Sequence, residues 1–522
     1  MIDALLMQDK QSPWLDVIAF FSGALLPVAF APIGFYPLAI IIPAIMFWIW
    51  LDSSPAEAFR RGYLFGFGLF AVGASWIYIA ISDFGFTSSP VAFLLTHIFV
   101  AFLALFPALQ ALLSVWLARY LNKYLIPVVF IVVWVLFEWI RGWFMTGFPW
   151  LNLGYSLIDS PLVGYAPIFG VYGLSLLAVI SSVAVLKLFT LKLFSRGNLL
   201  TIGLVVFVSV IWITGSALQT VSWTEEKDKP ITVALVQANL SQITKWDPEQ
   251  ILYRMNTFEK MTEPLWGQYD LVMWPENALT ILWQDAPYAY RQRLEQRARE
   301  SGTTLVMGLP YGDIETKYYS SLLVLGGKAP SVYNKRHLVP FGEYVPLPDF
   351  AKKLAGFFDL PMSGFSKGER RQQYLLVAGQ KMAPSICYED AFGEEVIDFL
   401  PEASLLINGS NNAWYGKSWA PHQHLQIARM RAVETGRQLI RSTTTGISAL
   451  VDHRGQFLKR SQQFKRVILT GEVQPRSGAT PYVLYGNYPV ILLVSLLTLL
   501  FTGLALRCRL QNQEKLSANE RE

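Results

Sequence analysis

The chain of 522 residues is 53% hydrophobic and 16% charged, with a mean hydropathy of +0.35. That balance excludes both an intrinsically disordered chain and an ordinary soluble enzyme. A formal charge of only +5, with no basic stripe interleaved with aromatics, leaves no nucleic-acid groove to propose.

Charge is unevenly placed: residues 1–220 carry 17 charged side chains and residues 221–522 carry the other 64. Two different regions therefore share one polypeptide. A spanning helix needs about 20 mostly apolar residues, and the first region offers seven such stretches, near 14–32, 34–51, 63–82, 91–116, 125–140, 164–186 and 199–220. An eighth runs from about 488 to 506. Pro27, Pro32 and Pro37 make the first two either a hairpin or one broken element. Apolar stretches follow one another without a small-residue cleavage site, so no cleaved signal peptide is expected.

Lys and Arg set the orientation. With the N-terminus in the cytoplasm, the inside segments carry Lys10, Arg60, Arg61, Arg119, Lys123, Lys187, Lys192, Arg196, Arg507, Arg509, Lys515 and Arg521, whereas the short outside loops carry only Arg141. The positive-inside rule then puts both termini inside and residues 221–487 outside. Glu138, near the end of the fifth span, is a functional candidate because an ionisable group in a span is costly. Its plainer reading is an i,i+3 ion pair with Arg141. The aromatic run from Gly142 to Trp150 suits an interfacial loop.

From Ile231 the pattern changes to short β-branched runs separated by helical stretches. Strands are expected at Ile231–Val236, Asp270–Trp274, Thr303–Met307, Ser321–Leu325, Met382–Ile386, Ser404–Ile407, Ile447–Val451 and Val467–Thr470, with helices near 248–264, 286–301, 391–400 and 421–436. This alternation predicts a layered α/β domain. Its glycines match neither nucleotide fingerprint, GxGxxG or GxxxxGK[ST].

Three segments carry reactive residues where an α/β sheet usually builds its site. They are Met273-Trp274-Pro275-Glu276-Asn277, Val332-Tyr333-Asn334-Lys335-Arg336-His337 and Ser385-Ile386-Cys387-Tyr388-Glu389-Asp390. A carboxylate, an ammonium and a thiol form a set able to perform acyl transfer. The carboxylate takes the thiol proton, the thiolate attacks a carbonyl, and the ammonium stabilises the oxyanion. Each also has a plain structural reading: a cysteine after a strand as a small buried hydrophobe, a glutamate after proline as a helix start, a lysine at a strand end as a solvated charge. His422 and His424 stand at i,i+2 and point to different faces of the expected helix, so no metal site is predicted.

These segments resemble the Glu-Lys-Cys triad of the nitrilase superfamily. Together with the preceding spans, the trailing span and the stretch His337-Leu338-Val339-Pro340-Phe341-Gly342-Glu343-Tyr344-Val345-Pro346, the whole chain resembles the apolipoprotein N-acyltransferase family. The resemblance implies about eight transmembrane helices plus an α/β nitrilase-like αββα sandwich. The domains would be a seven-span bundle (1–220), a periplasmic catalytic domain (221–487), and a last helix with a cytoplasmic tail (488–522), in a bacterial inner membrane.

It further implies a phospholipid acyl donor of the phosphatidylethanolamine type, a thioester on Cys387, and transfer to the α-amino group of a diacylglyceryl-cysteine apolipoprotein, without cofactor or metal. Glu276 would be general base and acid, and Lys335 would stabilise tetrahedral intermediates. Glu343 would support them, with Tyr388, Glu389 and Trp246 in positioning roles. A membrane-anchored amidase, in which water resolves the thioester, shares the first half of this chemistry. A non-enzymatic transporter or scaffold is disfavoured by the scarcity of ionisable residues in the spans. Phe350, Leu354, Phe357 and Phe358 form an i, i+4, i+7, i+8 stripe that reads equally as a mobile lid or as a packed core helix.

Overall fold

A computed structural model describes residues 13–85, 87–190, 199–327, 331–344 and 364–519. The stripe at Phe350, Leu354, Phe357 and Phe358 lies outside the described residues. The chain divides into two units. One comprises residues up to Ser75, 90–221 and those from Asn487 onward; the other comprises Trp76–Ser89 and Ser222–Gly486.

The main helices are α1 (Trp14–Leu25), α2 (Leu38–Trp50), α3 (Pro55–Gly73), α4 (Ile77–Ser82), α5 (Ser89–Ala118), α6 (Ile126–Trp143), α7 (Ala166–Thr190), α8 (Leu199–Leu218), α9 (Ile251–Thr262), α10 (Tyr288–Ser301), α11 (Ala420–Thr435) and α12 (Tyr488–Asn519). Among the described residues, five stretches are helical, long and apolar enough to cross a membrane: Ser89–Ala118, Ile126–Thr146, Pro161–Phe189, Leu199–Leu218 and Tyr488–Ser517. Ile202, Val206, Val210 and Ile213 of α8, and Leu492, Leu496 and Leu499 of α12, are exposed, an apolar surface suited to hydrocarbon. The first two expected spans are shorter apolar helices, Trp14–Ala29 and Leu38–Trp50.

The third expected span differs most. Instead of 63–82, the helix runs Pro55–Gly73. Ser54 starts it with a capping box: its hydroxyl accepts the Glu57 N–H at 3.2 Å, and its own N–H donates to Glu57 at 2.7 Å. Arg60 and Arg61 in the next turn pair with Asp16 of α1. Charges in the first turns hide this start from a hydropathy reading. Helices α1 and α3 approach closely because each places a glycine at the contact: a Cβ on Gly23 would lie 1.9 Å from the Phe65 carbonyl oxygen, and one on Gly68 2.3 Å from that of Phe20.

Glu138 and Arg141 both hold the loop that follows α6. Glu138 accepts from the Trp134 indole at 3.1 Å and the Leu153 N–H at 3.0 Å. Arg141 donates to the carbonyls of Phe148 and Trp150, each at 2.5 Å, and to Asn152 at 2.6 Å. These bonds give backbone groups at 148–153 partners where water is scarce.

The second unit contains two six-stranded sheets. Their strands are β1 (Ile231–Gln237), β2 (Leu271–Met273), β3 (Thr304–Asp313), β4 (Lys317–Leu325), β5 (Ser331–Asn334), β6 (Leu375–Val377), β7 (Gln380–Ile386), β8 (Leu405–Ser410), β9 (Leu439–Thr443), β10 (Ala449–Val451), β11 (Phe457–Arg460) and β12 (Val467–Val473). One sheet has the order β12-β1-β2-β3-β4-β5 and the other β11-β10-β9-β8-β7-β6. The inner strands β1, β2 and β3 run parallel, as do β7, β8 and β9.

The two-residue period of the strands sorts their side chains into layers. Val233, Leu235, Leu271 and Met273 face the core shared with Met382, Ile386, Leu405 and Ile407 of the other sheet. Their neighbours Ala234, Val236, Val272 and Trp274 pack under Phe258 of α9 and Leu294 of α10. Leu425, Ala428 and Ala432 of α11 belong to the core of the second sheet. The layers are therefore helix, sheet, sheet, helix. The helix expected at 391–400 is instead a series of short turns, with α-helix only at Gly393–Val396.

Residues 76–89, read from the sequence as the end of a span and a short loop, belong to this second unit. The Trp76 indole donates to Gln423 at 3.2 Å, its ring meets Tyr415 edge-on at 4.7 Å, and Phe84 meets Trp414 at 5.8 Å. Aromatic composition alone does not distinguish such a docking segment from hydrocarbon-facing helix.

Candidate active site

Glu276 sits two residues beyond the strand-like Trp274, whose N–H bonds to the Val306 carbonyl at 2.8 Å. Its loop lies directly on β3, and only glycine fits beneath it. A Cβ at Gly308 would stand 2.2 Å from the Pro275 oxygen and 2.6 Å from the Glu276 Cα. Lys335 follows β5 directly, with its N–H bonded to the Ser320 carbonyl at 2.8 Å.

Both side chains are almost fully buried and meet. Lys335 Nζ lies 3.0 Å from Glu276 Oε1 and 2.7 Å from Glu343 Oε1. The second Glu343 oxygen accepts the Val339 N–H at 2.8 Å. Burial works against the charge on Lys335, but Glu276 and Glu343 overcome it and hold the ammonium well above its ordinary pKa. Burial raises the Glu343 carboxyl, with Glu276 adding to the shift and Lys335 opposing it.

Cys387 heads the turn after β7 and is only 5% exposed. Its φ of +52° is a left-handed conformation that ordinary side chains rarely adopt, so the surrounding structure holds the thiol at a sharp strand-to-turn corner. Burial raises its pKa first and Glu276 raises it further, against the pull of Lys335 and the Asn411 N–H. The resting sulfur is therefore a thiol, and it needs a base to become a nucleophile.

Glu389 connects the lysine strand to the cysteine turn. It accepts the N–H groups of Ile386 at 2.7 Å, Arg336 at 2.6 Å and His337 at 3.0 Å, and the Tyr333 hydroxyl at 3.0 Å. Burial pushes its pKa up to about 7, with Glu395 adding, against Lys335 and these N–H donors. The Tyr388 ring packs edge-on to His337 at 5.8 Å and Phe392 at 5.1 Å. Trp246 lies with Leu338, Phe365, Tyr318, Tyr344 and Trp414 in a small apolar cluster.

The structure thus brings Glu276, Lys335 and Glu343 into direct contact and couples Cys387 to their charges, with Glu389 bracing the turn. Among the described residues Trp246 belongs to the small apolar cluster and not to the triad, while its neighbour Lys245 is electrostatically coupled to Glu276, Cys387 and Lys335. Sequence reasoning passes over Lys245 and over the support beneath Cys387. His424, weighed as a metal ligand, is part of that support. Its Nδ1 accepts from the Asn412 amide at 2.8 Å, leaving Nε2–H to donate to Asp390 at 2.8 Å and the Cys387 carbonyl at 3.1 Å. Arg441 bonds the other Asp390 oxygen and Asn408. These partners come from four separate chain segments, so no spacing in the sequence reveals them.

Known proteins repeat this organisation. Residues 22–184 match the apolipoprotein N-acyltransferase N-terminal domain and residues 232–482 match carbon-nitrogen hydrolase. An apolipoprotein N-acyltransferase of Methylococcus capsulatus is 40% identical over 477 residues, covering 91% of this chain and 93% of that one. One of Coxiella burnetii is 39% identical over 487 residues, covering 93% and 99%. A carbon-nitrogen hydrolase of Helicobacter pylori aligns over 47% of this chain and 88% of its own, but with 18% identity and a TM-score of 0.35 the likeness is too faint to bear on activity. Since both matched domains follow in order along one polypeptide and relatives are similar over nearly their full length, the chain belongs to the apolipoprotein N-acyltransferase family.

Proposed function

We propose that this enzyme carries an acyl chain from a phospholipid of the phosphatidylethanolamine type, through a thioester on Cys387, to the α-amino group of a diacylglyceryl-cysteine at an apolipoprotein N-terminus. The observation that carries the reading is the buried Glu276–Lys335 pair at 3.0 Å, electrostatically coupled to a thiol at a strained corner. Glu276 takes the Cys387 proton as sulfur attacks the ester carbonyl, and Lys335 stabilises the oxyanion. Glu276 then returns the proton to the departing glycerol oxygen, leaving lysophospholipid and thioester. In the second half it takes a proton from the acceptor amine as nitrogen attacks, and returns it to the sulfur. Glu343 holds Lys335 in place, while Tyr388, Glu389 and Trp246 position the surrounding loops.

The same reading makes the chain an inner-membrane protein with about eight crossings, cytoplasmic termini and a periplasmic catalytic domain. Its support is the bias of Lys and Arg toward one set of loops. The test is to incubate purified protein with phosphatidylethanolamine alone and measure intact mass, with Cys387→Ala as control. An acyl adduct on Cys387 that discharges only when diacylglyceryl-peptide is added is the expected result. No adduct, or one lost at once to water, would overturn the transferase in favour of a hydrolase or a non-enzyme.

A further inference from the structure

Lys245 is 1% exposed, and among the described residues its Nζ has no hydrogen-bond partner. A buried ammonium without acceptors is costly, and the Lys245 Nζ lies over the Trp246 ring, 6.0 Å from its centroid. The turn that carries it is tied to the nucleophile's surroundings. Lys245 N–H bonds to the Gln242 carbonyl at 3.2 Å, and the Gln242 side chain accepts from Asn411 at 3.0 Å, whose own N–H points at the Cys387 sulfur. The charged or titratable groups coupled to Lys245 are Glu276, Arg254, Cys387 and Lys335. Arg254 is engaged elsewhere, donating to the Ser241 carbonyl at 2.5 Å.

Charge in the cavity is not balanced by Lys335 alone. Glu276 and Glu343 both bond to that one ammonium. When the thiol proton moves to Glu276 and the sulfur–carbon bond forms, the carbonyl π electrons move to oxygen. Glu343 and this oxyanion then face the single charge of Lys335. A lysine has three N–H donors, and Lys335 has committed two of them to carboxylates, whereas Lys245 has committed none to a described residue.

We propose that Lys245 is a second cationic catalytic residue, whose ε-ammonium meets the anionic oxygen formed on the acyl carbonyl when Cys387 attacks. The inference rests on the acyl-enzyme reading above. The oxyanion collapses with cleavage of the carbon–oxygen bond to glycerol, the proton on Glu276 goes to that oxygen, and Lys245 leaves the step as it entered. The donor's phosphate is another anion a lysine can bind. The coupling to Glu276 and Cys387, the reacting groups, favours the carbonyl oxygen. Burial, opposed first by Glu276, brings the Lys245 pKa down to about 7. Its charge is therefore conditional, and a neighbouring anion favours it.

The test uses the full chain and two variants, Lys245→Met and Lys245→Arg. Single-turnover acylation of Cys387 is followed with phosphatidylethanolamine and with a neutral p-nitrophenyl acyl ester that has no phosphate. Slow alkylation of Cys387 by excess iodoacetamide, read on its peptide, serves as a reaction that forms no oxyanion. The expected result for Lys245→Met is a loss of about a hundredfold in the maximal acylation rate with both donors, half-saturation little changed, and alkylation preserved. Lys245→Arg should recover part of the loss. The wild-type second-order acylation rate should decline above about pH 7 as Lys245 loses its proton, a limb missing from Lys245→Met.

Unchanged acylation would overturn the proposal. So would a parallel loss of acylation and alkylation, which marks a structural role, or a loss confined to half-saturation with the phosphate-bearing donor, which assigns Lys245 to the headgroup. A wild-type chain that is alkylated but acylated by neither donor would overturn the proposed function and this inference with it, and is recognised because no variant is involved.

Discussion

The carboxylate of Glu389 accepts the backbone N–H of Arg336 at 2.6 Å, so a residue two beyond the nucleophile grips the chain one beyond the lysine. Three further donors converge on the same carboxylate. Glu389→Gln keeps the shape but turns an NH2 group toward donors. Each donor left without an acceptor costs about 1–3 kcal/mol. Acylation of Cys387 should fall by about a hundredfold or more with a clear drop in melting temperature. An activity loss without any stability loss would show that Glu389 does not brace the turn.

Gly308 should tolerate no side chain. The Cβ of Gly308→Ala would meet the Pro275 oxygen and Glu276 Cα, both backbone atoms. The Glu276 loop must move, and a displacement of about 1 Å costs on the order of a hundredfold in rate. The expected outcome is near loss of acyl-adduct formation while the protein still purifies as a monodisperse species. Normal adduct formation would mean the loop is not held against β3.

Lys245 also makes a prediction about stability. Its folded pKa of about 7 lies below its unfolded value of 10.5. Between these values the unfolded chain binds more protons than the folded one, so stability rises with pH through that window. Below about 7 the burial penalty is present in full. Lys245→Met removes it, so its melting temperature should exceed wild type most at about pH 6 and the gap should close toward about pH 10. Thermal scans in detergent across this range check it; a gap that does not vary with pH would contradict the depressed pKa.

Arg141→Met removes the guanidinium that bonds the Phe148 and Trp150 carbonyls. Bonds to a charged donor contribute about 1.5–3 kcal/mol each. Detergent-solubilised variant should melt several degrees lower and be cleaved faster by protease at residues 144–152. Unaltered proteolysis would show that the loop is held by other contacts.

Strands with clear apolar runs are legible, such as β1 with its β-branched Ile231, Thr232, Val233 and Val236, and β8 where it opens on Leu405-Leu406-Ile407. The edge strand β11 and the short strands β5 and β6 are not, since Phe457–Arg460 is largely exposed and Leu375–Val377 has only three residues. The positions of Glu276 and Cys387 follow from expected strand ends, whereas Lys335 stands after β5, which the sequence does not announce. The mutual geometry of the three is not legible, because parallel β2, the edge strand β5 and the second sheet bring them together over long separations. Lys245 was invisible for a related reason: a lysine in a turn reads as solvated until its burial is known. Trp76 and Phe84 mislead in the opposite sense, reading as membrane aromatics while they pack on Gln423 of α11 and on Trp414 and Tyr415.

Cys387, held at its strained corner, is 5% exposed, and burial keeps its thiol protonated at rest. Peroxides and disulfides react with thiolates they can reach, and the resting Cys387 thiol meets both requirements poorly. The same burial that raises the thiol's pKa slows sulfenic acid formation and mixed disulfides. A thiol held in this way is oxidised slowly, so fewer turnovers end in a residue that a reductant must restore.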